Sequence, residues 1–407
     1  MKKKQNRRRA GGGQASPAAR SAVATEVQTA TDSEALSLPP SFFLQRAEGC
    51  VNAFPPDFSL ARKFLRKGVS VHPNDVSLLV RAAEMLSEDG QLDEAKQLLQ
   101  RAIQLEPDRN PEKFFYLAQI EEGRTSLELF RRAAGLLEAS LQNLEASIAA
   151  AQVRESQAGN SGRGATAAAV RLLKEERRRV TRQLVDAKCS VGELYMTDLC
   201  DAEEAEEACR AESEGALALA EAQDAGLPDA LHLRASFLKT IGDIEGARAA
   251  ALRAAHLIHA QLKRREENLR LVSPSSEDED DVSCRELRVN LARVLIDVQE
   301  AEAAVLLVSS CIEEDDQDAD SWLILACGLF KAKKFAAARD SLEHLQQLLA
   351  STGLAAERDH PICVHTRELL RVVKEEEKGA SAQGGEEDED DWEEVDEDAD
   401  DVEMGDT

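Results

Sequence analysis

The chain has 407 residues, with 77 Asp and Glu against 50 Lys and Arg, a net charge of −27, 43% apolar residues and only 4% aromatic ones. It is long enough to bury a sizeable core, but that core must be built from Ala and Leu rather than rings. Abundant helix formers and few β-branched runs argue against a strand-built fold. A balance this acidic points to basic partners and away from direct contact with nucleic acid.

In chain order, the opening MKKKQNRRR carries six bases in nine residues (Lys2, Lys3, Lys4, Arg7, Arg8 and Arg9). Such a segment repels itself and has little to bury, so residues 1–38 are expected to be disordered, with the basic run serving as a nuclear-import signal. No apolar run follows it, which argues against a secretory leader. The longest strongly apolar run, WLILACGLF, is too short to span a bilayer. Helix pairs are expected at 41–70, 75–105 and 112–140, forming an N-terminal repeat region over 39–146. A Gly-, Ser- and Ala-rich stretch, RESQAGNSGRGATAA, then reads as a flexible insertion within 147–169. Further pairs follow at 170–222, 228–262, 284–312 and 319–349, and a capping helix at 361–376 closes a C-terminal repeat region over 170–376. An acidic loop at 273–283 interrupts that region. Residues 377–407 are expected to be disordered, because positions 386–407 hold fifteen acids and no base. Eight cysteines without a C-x-x-C pair read as reduced residues of an intracellular protein.

A period near 34 residues underlies the pairs. Trp322, Leu325, Ala326 and Leu329, followed by Ala338 and Leu342, reproduce the spacing of a tetratricopeptide unit. The spacing returns at Leu79, Ala82, Ala83, Leu86, Ala95, Leu99, Ala102 and Pro107, and again from Leu231 to Ala254 and from Leu291 to Cys311. Small residues are needed where the two helices of a unit cross, and Leu or Phe fill the outer seam. The fold class is therefore all-α, a tetratricopeptide-like helical-repeat superhelix of about six to seven helix pairs. Two units are irregular: Phe114, Phe115 and Tyr116 crowd the third, and the fourth begins with an unusually long helix.

The segment GELYMTDLCDAEEAEEAC stands apart, with nine acids against one base, Arg210, between Glu193 and Glu214. Asp201 with Glu204 has the spacing of a capping box, so a helix is expected to start there. Tyr195 and Met196 read either as packing or as part of a functional string. The string Tyr195, Met196, Thr197, Asp198, Leu199 and Cys200, together with the repeats and the tail DEDDWEEVDEDADD, resembles the dedicated assembly chaperones of the large-subunit ribosomal protein four. That resemblance implies a tetratricopeptide chaperone. It would hold a newly made basic ribosomal protein by its long internal loop, keep it soluble and escort it from cytoplasm to nucleus. It would act as a monomer in a one-to-one complex, with a nuclear import receptor as a further partner. No membrane and no cofactor are implied.

Carrying the usual inward-facing positions of first helices onto this register places Glu84, Glu88, Asp229, Glu286, Asp297, Asp320 and Phe330 on a concave acidic face, with Val289 and Leu323 as apolar neighbours. Such acids would draw in Lys and Arg of an extended client. Most could equally be solvated charges. A general peptide-binding scaffold in a transcription or chromatin complex is the alternative reading. A co-chaperone that clamps C-terminal carboxylates would need Lys, Asn and Arg where this chain has Val80, Glu84 and Ile324. Nor is an enzyme expected: there is no phosphate-binding glycine loop or nucleophile elbow, and His256 with His259 or the HPICVH stretch lack further metal ligands.

Overall fold

The computed structural model describes residues 38–157, 163–222, 227–270, 283–354 and 359–383. The chain divides into two compact units, Met1–Asp243 and Ile244–Thr407. The proposed import signal, the acidic tail and nearly all of the acidic loop lie outside the described residues. Every regular element among the described residues is an α-helix.

The first unit contains α1 (Pro40–Val51), α2 (Phe58–Val71), α3 (Val76–Glu88), α4 (Leu92–Leu105), α5 (Glu112–Ile120), α6 (Gly123–Gln157), α7 (Arg163–Met196), α8 (Ala205–Glu221) and α9 (Pro228–Thr240). Starts are fixed locally. Asp57 and Asp75 accept from the amides of Leu60 and Leu78 at 2.9 and 2.8 Å, satisfying donors that the first turns of α2 and α3 leave open. Successive helices pack as hairpins, and first helices also pack on one another, α1 on α3, α3 on α5 and α7 on α9. The crossings are made by the expected small residues: Ala82, Ala83, Ala95 and Ala102 are wholly buried between Leu79, Leu86 and Leu99. At the α7–α9 crossing the small residue is Gly192, where a Cβ would stand 2.8 Å from Leu233 Cδ1.

The second unit contains α10 (Ile244–Arg270), α11 (Arg285–Asp297), α12 (Ala301–Glu314), α13 (Ala319–Lys331), α14 (Phe335–Ser351) and α15 (Pro361–Gln383). It repeats the same packing, with α11 on α13 and α13 on α15. Asp318 accepts from the Ser321 amide at 3.2 Å to start α13, and Ala292, Ala304, Ala326 and Ala338 fill the crossings. Arg288 is 2% exposed in the α11–α12 seam, paired with Glu314 and donating to Ser310 Oγ at 2.9 Å.

One turn recurs in both units. Gly90, Gly242, Gln299 and Lys333 have φ of 75, 86, 68 and 59°. In each case the next amide reaches back to a carbonyl five residues earlier, as Gln91 does to Leu86 at 2.8 Å and Glu300 to Leu295 at 2.8 Å. This is the six-to-one closure of a Schellman motif, and it ends α3, α9, α11 and α13.

Three expectations change. Residues 147–157 and 163–169, expected as a flexible insertion, are helical, so α6 and α7 form one long hairpin on either side of 158–162. The Ala-rich composition read as a linker is also the best helix-forming composition. Ile148 and Val170 are buried there, which gives the extension apolar surface to cover. The capping helix runs to Gln383 rather than 376. Finally, α8 begins at Ala205, not at Asp201. Its N-cap Glu204 makes no side-chain capping bond, and residues 197–204 close as turns through bonds such as Leu199 N to Leu194 O at 2.9 Å.

Candidate functional site

The first helices α7 and α9 of the first unit bring together Asp186, Glu193 and Asp229. Residues 186 and 193 are seven apart and share one face of α7, while Asp229 sits in the first turn of α9 behind Pro228, where the helix dipole favours an acid. Asp186 is exposed to solvent at one side and closely surrounded by protein on the others. Burial, and then the neighbouring Asp229, push its carboxyl up to about 7, against a smaller opposing pull from Arg182. Asp229 is likewise raised by burial, opposed by its own amide and by Arg182. His232, one turn further along α9, is pushed down to about 4 by burial and then by Lys239, so it is neutral near pH 7. The thiol of Cys189 beneath is buried and raised, first by burial and then by Asp229. Three carboxylates thus gather around Cys189, with Asp186 and Glu193 open to solvent and Asp229 half-buried. A cation placed there would be favoured by these carboxylates.

Of the seven residues expected on a concave face, three lie in the first unit and four in the second. Asp229 belongs to the group just described. Glu84 already has partners: it pairs with Arg81 and accepts from Tyr116 Oη at 2.8 Å. Glu88 is exposed at the end of α3. In the second unit Glu286 and Asp320 are exposed in the first turns of α11 and α13, and Asp297 is exposed at the last residue of α11. Phe330 is half-buried with its ring 5.8 Å from Phe335. Its expected apolar neighbours are less available, Val289 being 9% exposed and Leu323 half-buried. Asp186 and Glu193 were missed, because the repeat pattern fixes crossing positions and says little about the accessible face of an overlong helix. Their seven-residue spacing, which puts both on one face of a helix, was the available signal.

The string Tyr195–Cys200 links elements. Tyr195 is 3% exposed, its hydroxyl accepts from Arg131 Nη2 of α6 at 2.8 Å, and the same guanidinium lies 5.8 Å from its ring centroid. Asp198 accepts from the amide of Gly123, the first residue of α6, at 3.3 Å. Met196 packs on the cluster of Val185, Cys189 and Leu233. Thr197 and Cys200 are exposed, and Leu199 is half-buried. The string therefore fastens the end of α7 to the start of α6 and holds the helix that carries Asp186 and Glu193.

Val80 and Ile324, at positions where a carboxylate clamp needs polar side chains, are buried. Among the described residues no group of three His, Cys, Asp or Glu is placed to hold a metal, and no helix is long and apolar enough to cross a membrane.

The tetratricopeptide-repeat family model matches residues 76–109, the α3–α4 hairpin and the turn after it. A Schizosaccharomyces pombe protein named as a probable assembly chaperone of rpl4 is 27% identical over 231 residues, covering 56% of this chain and 55% of the relative. The chain thus carries a tetratricopeptide repeat at 76–109 and is similar to that chaperone over about half its length. It spans about half the length of this curated relative. Among solved structures, the chain superposes on an assembly chaperone of RpL4, Acl4 (residues 1–338), with a TM-score of 0.52 and 25% identity, over 73% of this chain and 98% of that one.

Proposed function

We propose that the protein is a non-enzymatic assembly chaperone for a basic ribosomal protein of the large subunit. It holds the long internal loop of the newly made client, keeps the client soluble and escorts it from cytoplasm to nucleus as a one-to-one complex. The observation that carries this reading is the crowding of Asp186, Glu193 and Asp229 on α7 and α9 of a chain with net charge −27, in a relative of a chaperone named for such a client. A ribosomal protein built to neutralise RNA aggregates or binds stray polyanions when free, and an acidic repeat surface screens it. Glu88 in the first unit, and Glu286 and Asp320 in the second, are further exposed acids that a basic client can meet. The basic run from Lys2 to Arg9 supplies the import signal, read by an import receptor.

The test is capture of the native protein from growing cells with identification of what it carries. One basic large-subunit ribosomal protein in equimolar amount, released by raising salt, is the expected result. Several neutral or acidic partners that resist salt would replace this reading with that of a general peptide-binding scaffold.

A further inference from the structure

Exposed arginines of the first unit commonly hold a carboxylate: Arg66 holds Glu94 at 2.6 Å, Arg179 holds Glu176 at 2.7 Å, and Arg81 holds Glu48 at 3.3 Å. In a chain with this excess of acids, that is the expected state of a surface cation. The outer half of α7 departs from it. Arg171, Lys174, Arg178 and Arg182 are all exposed, and their spacing of three, four and four residues puts them in one stripe along roughly 16 Å of helix. Glu175 lies beside them, leaving a net charge of +3. Arg182 is engaged within the unit and acts on Asp186 and Asp229. Among the described residues, Arg171, Lys174 and Arg178 hold no carboxylate within 4 Å.

The stripe does not end at Arg182. Four residues on, the same face continues with Asp186 and then Glu193, with Asp229 of α9 against Asp186. One helix face therefore runs from positive to negative, with the change of sign between Arg182 and Asp186. A uniformly basic ligand would be held at one end and repelled at the other. An RNA strand would meet the reverse mismatch. The occupant that satisfies both halves is an extended peptide in which a basic run adjoins an acidic one.

We infer that α7 is a two-part docking surface for such a charge-segregated peptide: Asp186, Glu193 and Asp229 take its basic run, and Arg171, Lys174 and Arg178 take the acidic residues beside it. This rests on the proposed chaperone reading for the acidic half and adds to it a rule of selection. A client segment is chosen by the acids that flank its basic run, and its direction along α7 is fixed by them, because the reversed placement sets like charges together.

The experiment uses the full chain and two synthetic peptides, one a lysine-rich block alone and one the same block joined to a glutamate-rich block. A combined Arg171→Ala, Lys174→Ala, Arg178→Ala variant is compared with the natural sequence. All three side chains are exposed, and helical circular dichroism checks that the fold is kept. The natural chain is expected to bind the joined peptide about tenfold more tightly than the lysine block, and the variant to lose that gain while holding the lysine block at least as tightly as the natural chain does. Equal binding of both peptides by the natural chain overturns the inference and leaves the acidic half standing. Binding of neither peptide overturns the inference together with the chaperone reading of this face. A single-stranded RNA oligomer that binds the natural chain and is released by the variant, with no gain from the glutamate block, makes the stripe an RNA contact and also overturns it.

Discussion

Gly192 shows how much one atom decides in this array. Within a helix, Gly to Ala ordinarily stabilises by about 1 kcal/mol. Here the added Cβ would stand 2.8 Å from a Leu233 side chain that is wholly buried among Val185, Cys189 and Ala216, so that side chain must shift within a packed cluster. Gly192→Ala is therefore expected to lose about 1–3 kcal/mol, measured by denaturant unfolding of the purified protein. A gain would mean that α7 and α9 do not cross there.

Asp186 carries the pH dependence. Its folded carboxyl titrates near 7 against an ordinary value near 4. A raised folded value means that its stability contribution is complete below about pH 4 and is lost as pH rises through about 7. Binding runs the other way, since a bound cation favours the ionised form. Affinity for a basic peptide should rise several-fold between pH 6 and pH 8, and His232, already neutral, should not offset it. In Asp186→Asn that rise should flatten, as read by titration at the two pH values; a rise kept in full would assign it to another group.

At the scale of elements, the recurring turn is unevenly optimised. Gly90 and Gly242 occupy the left-handed position without strain, whereas Gln299 and Lys333 hold the same position with a Cβ. Gln299 is exposed, so replacing it removes the backbone penalty without cutting a buried contact. Gln299→Gly should stabilise the second unit by roughly 0.5–1 kcal/mol after allowing for the added freedom of the unfolded chain. A lower unfolding midpoint would contradict this.

The same scale shows what could be read from residues alone. The Ala and Leu spacing located most of the hairpins within a few residues, because each crossing demands a small side chain at a fixed distance from its neighbour in the next turn. It failed at 155–157 and 163–169, where alanine satisfies both a linker and a helix and only the partner helix decides. It failed again at Asp201, where capping chemistry was present but the chain was already committed to the turns behind Tyr195. For the site, Asp229 was legible from the repeat register. Asp186 and Glu193 were not, because α7 is longer than a repeat's first helix. Glu84 was legible as a position, while its capture by Arg81 and Tyr116 depended on neighbours 3 and 32 residues away in sequence.

For the whole molecule, charge is the dominant property. Surplus carboxylates are spread over both units, and a client with clustered Lys and Arg is attracted before it touches the surface. That attraction weakens with salt because screening acts over about 8 Å at physiological ionic strength. Surface ion pairs each contribute little, so the account requires several acids acting together on association.

The most direct measurement is the association rate of a basic ribosomal-loop peptide with the natural chain and with a combined Asp186→Asn, Glu193→Gln, Asp229→Asn variant, across a salt series. The account predicts an association rate that falls steeply with salt for the natural chain, and a variant that associates about tenfold more slowly with a shallower salt dependence. An unchanged rate and an unchanged salt slope would contradict it, and would remove this face of α7 and α9 from the mechanism.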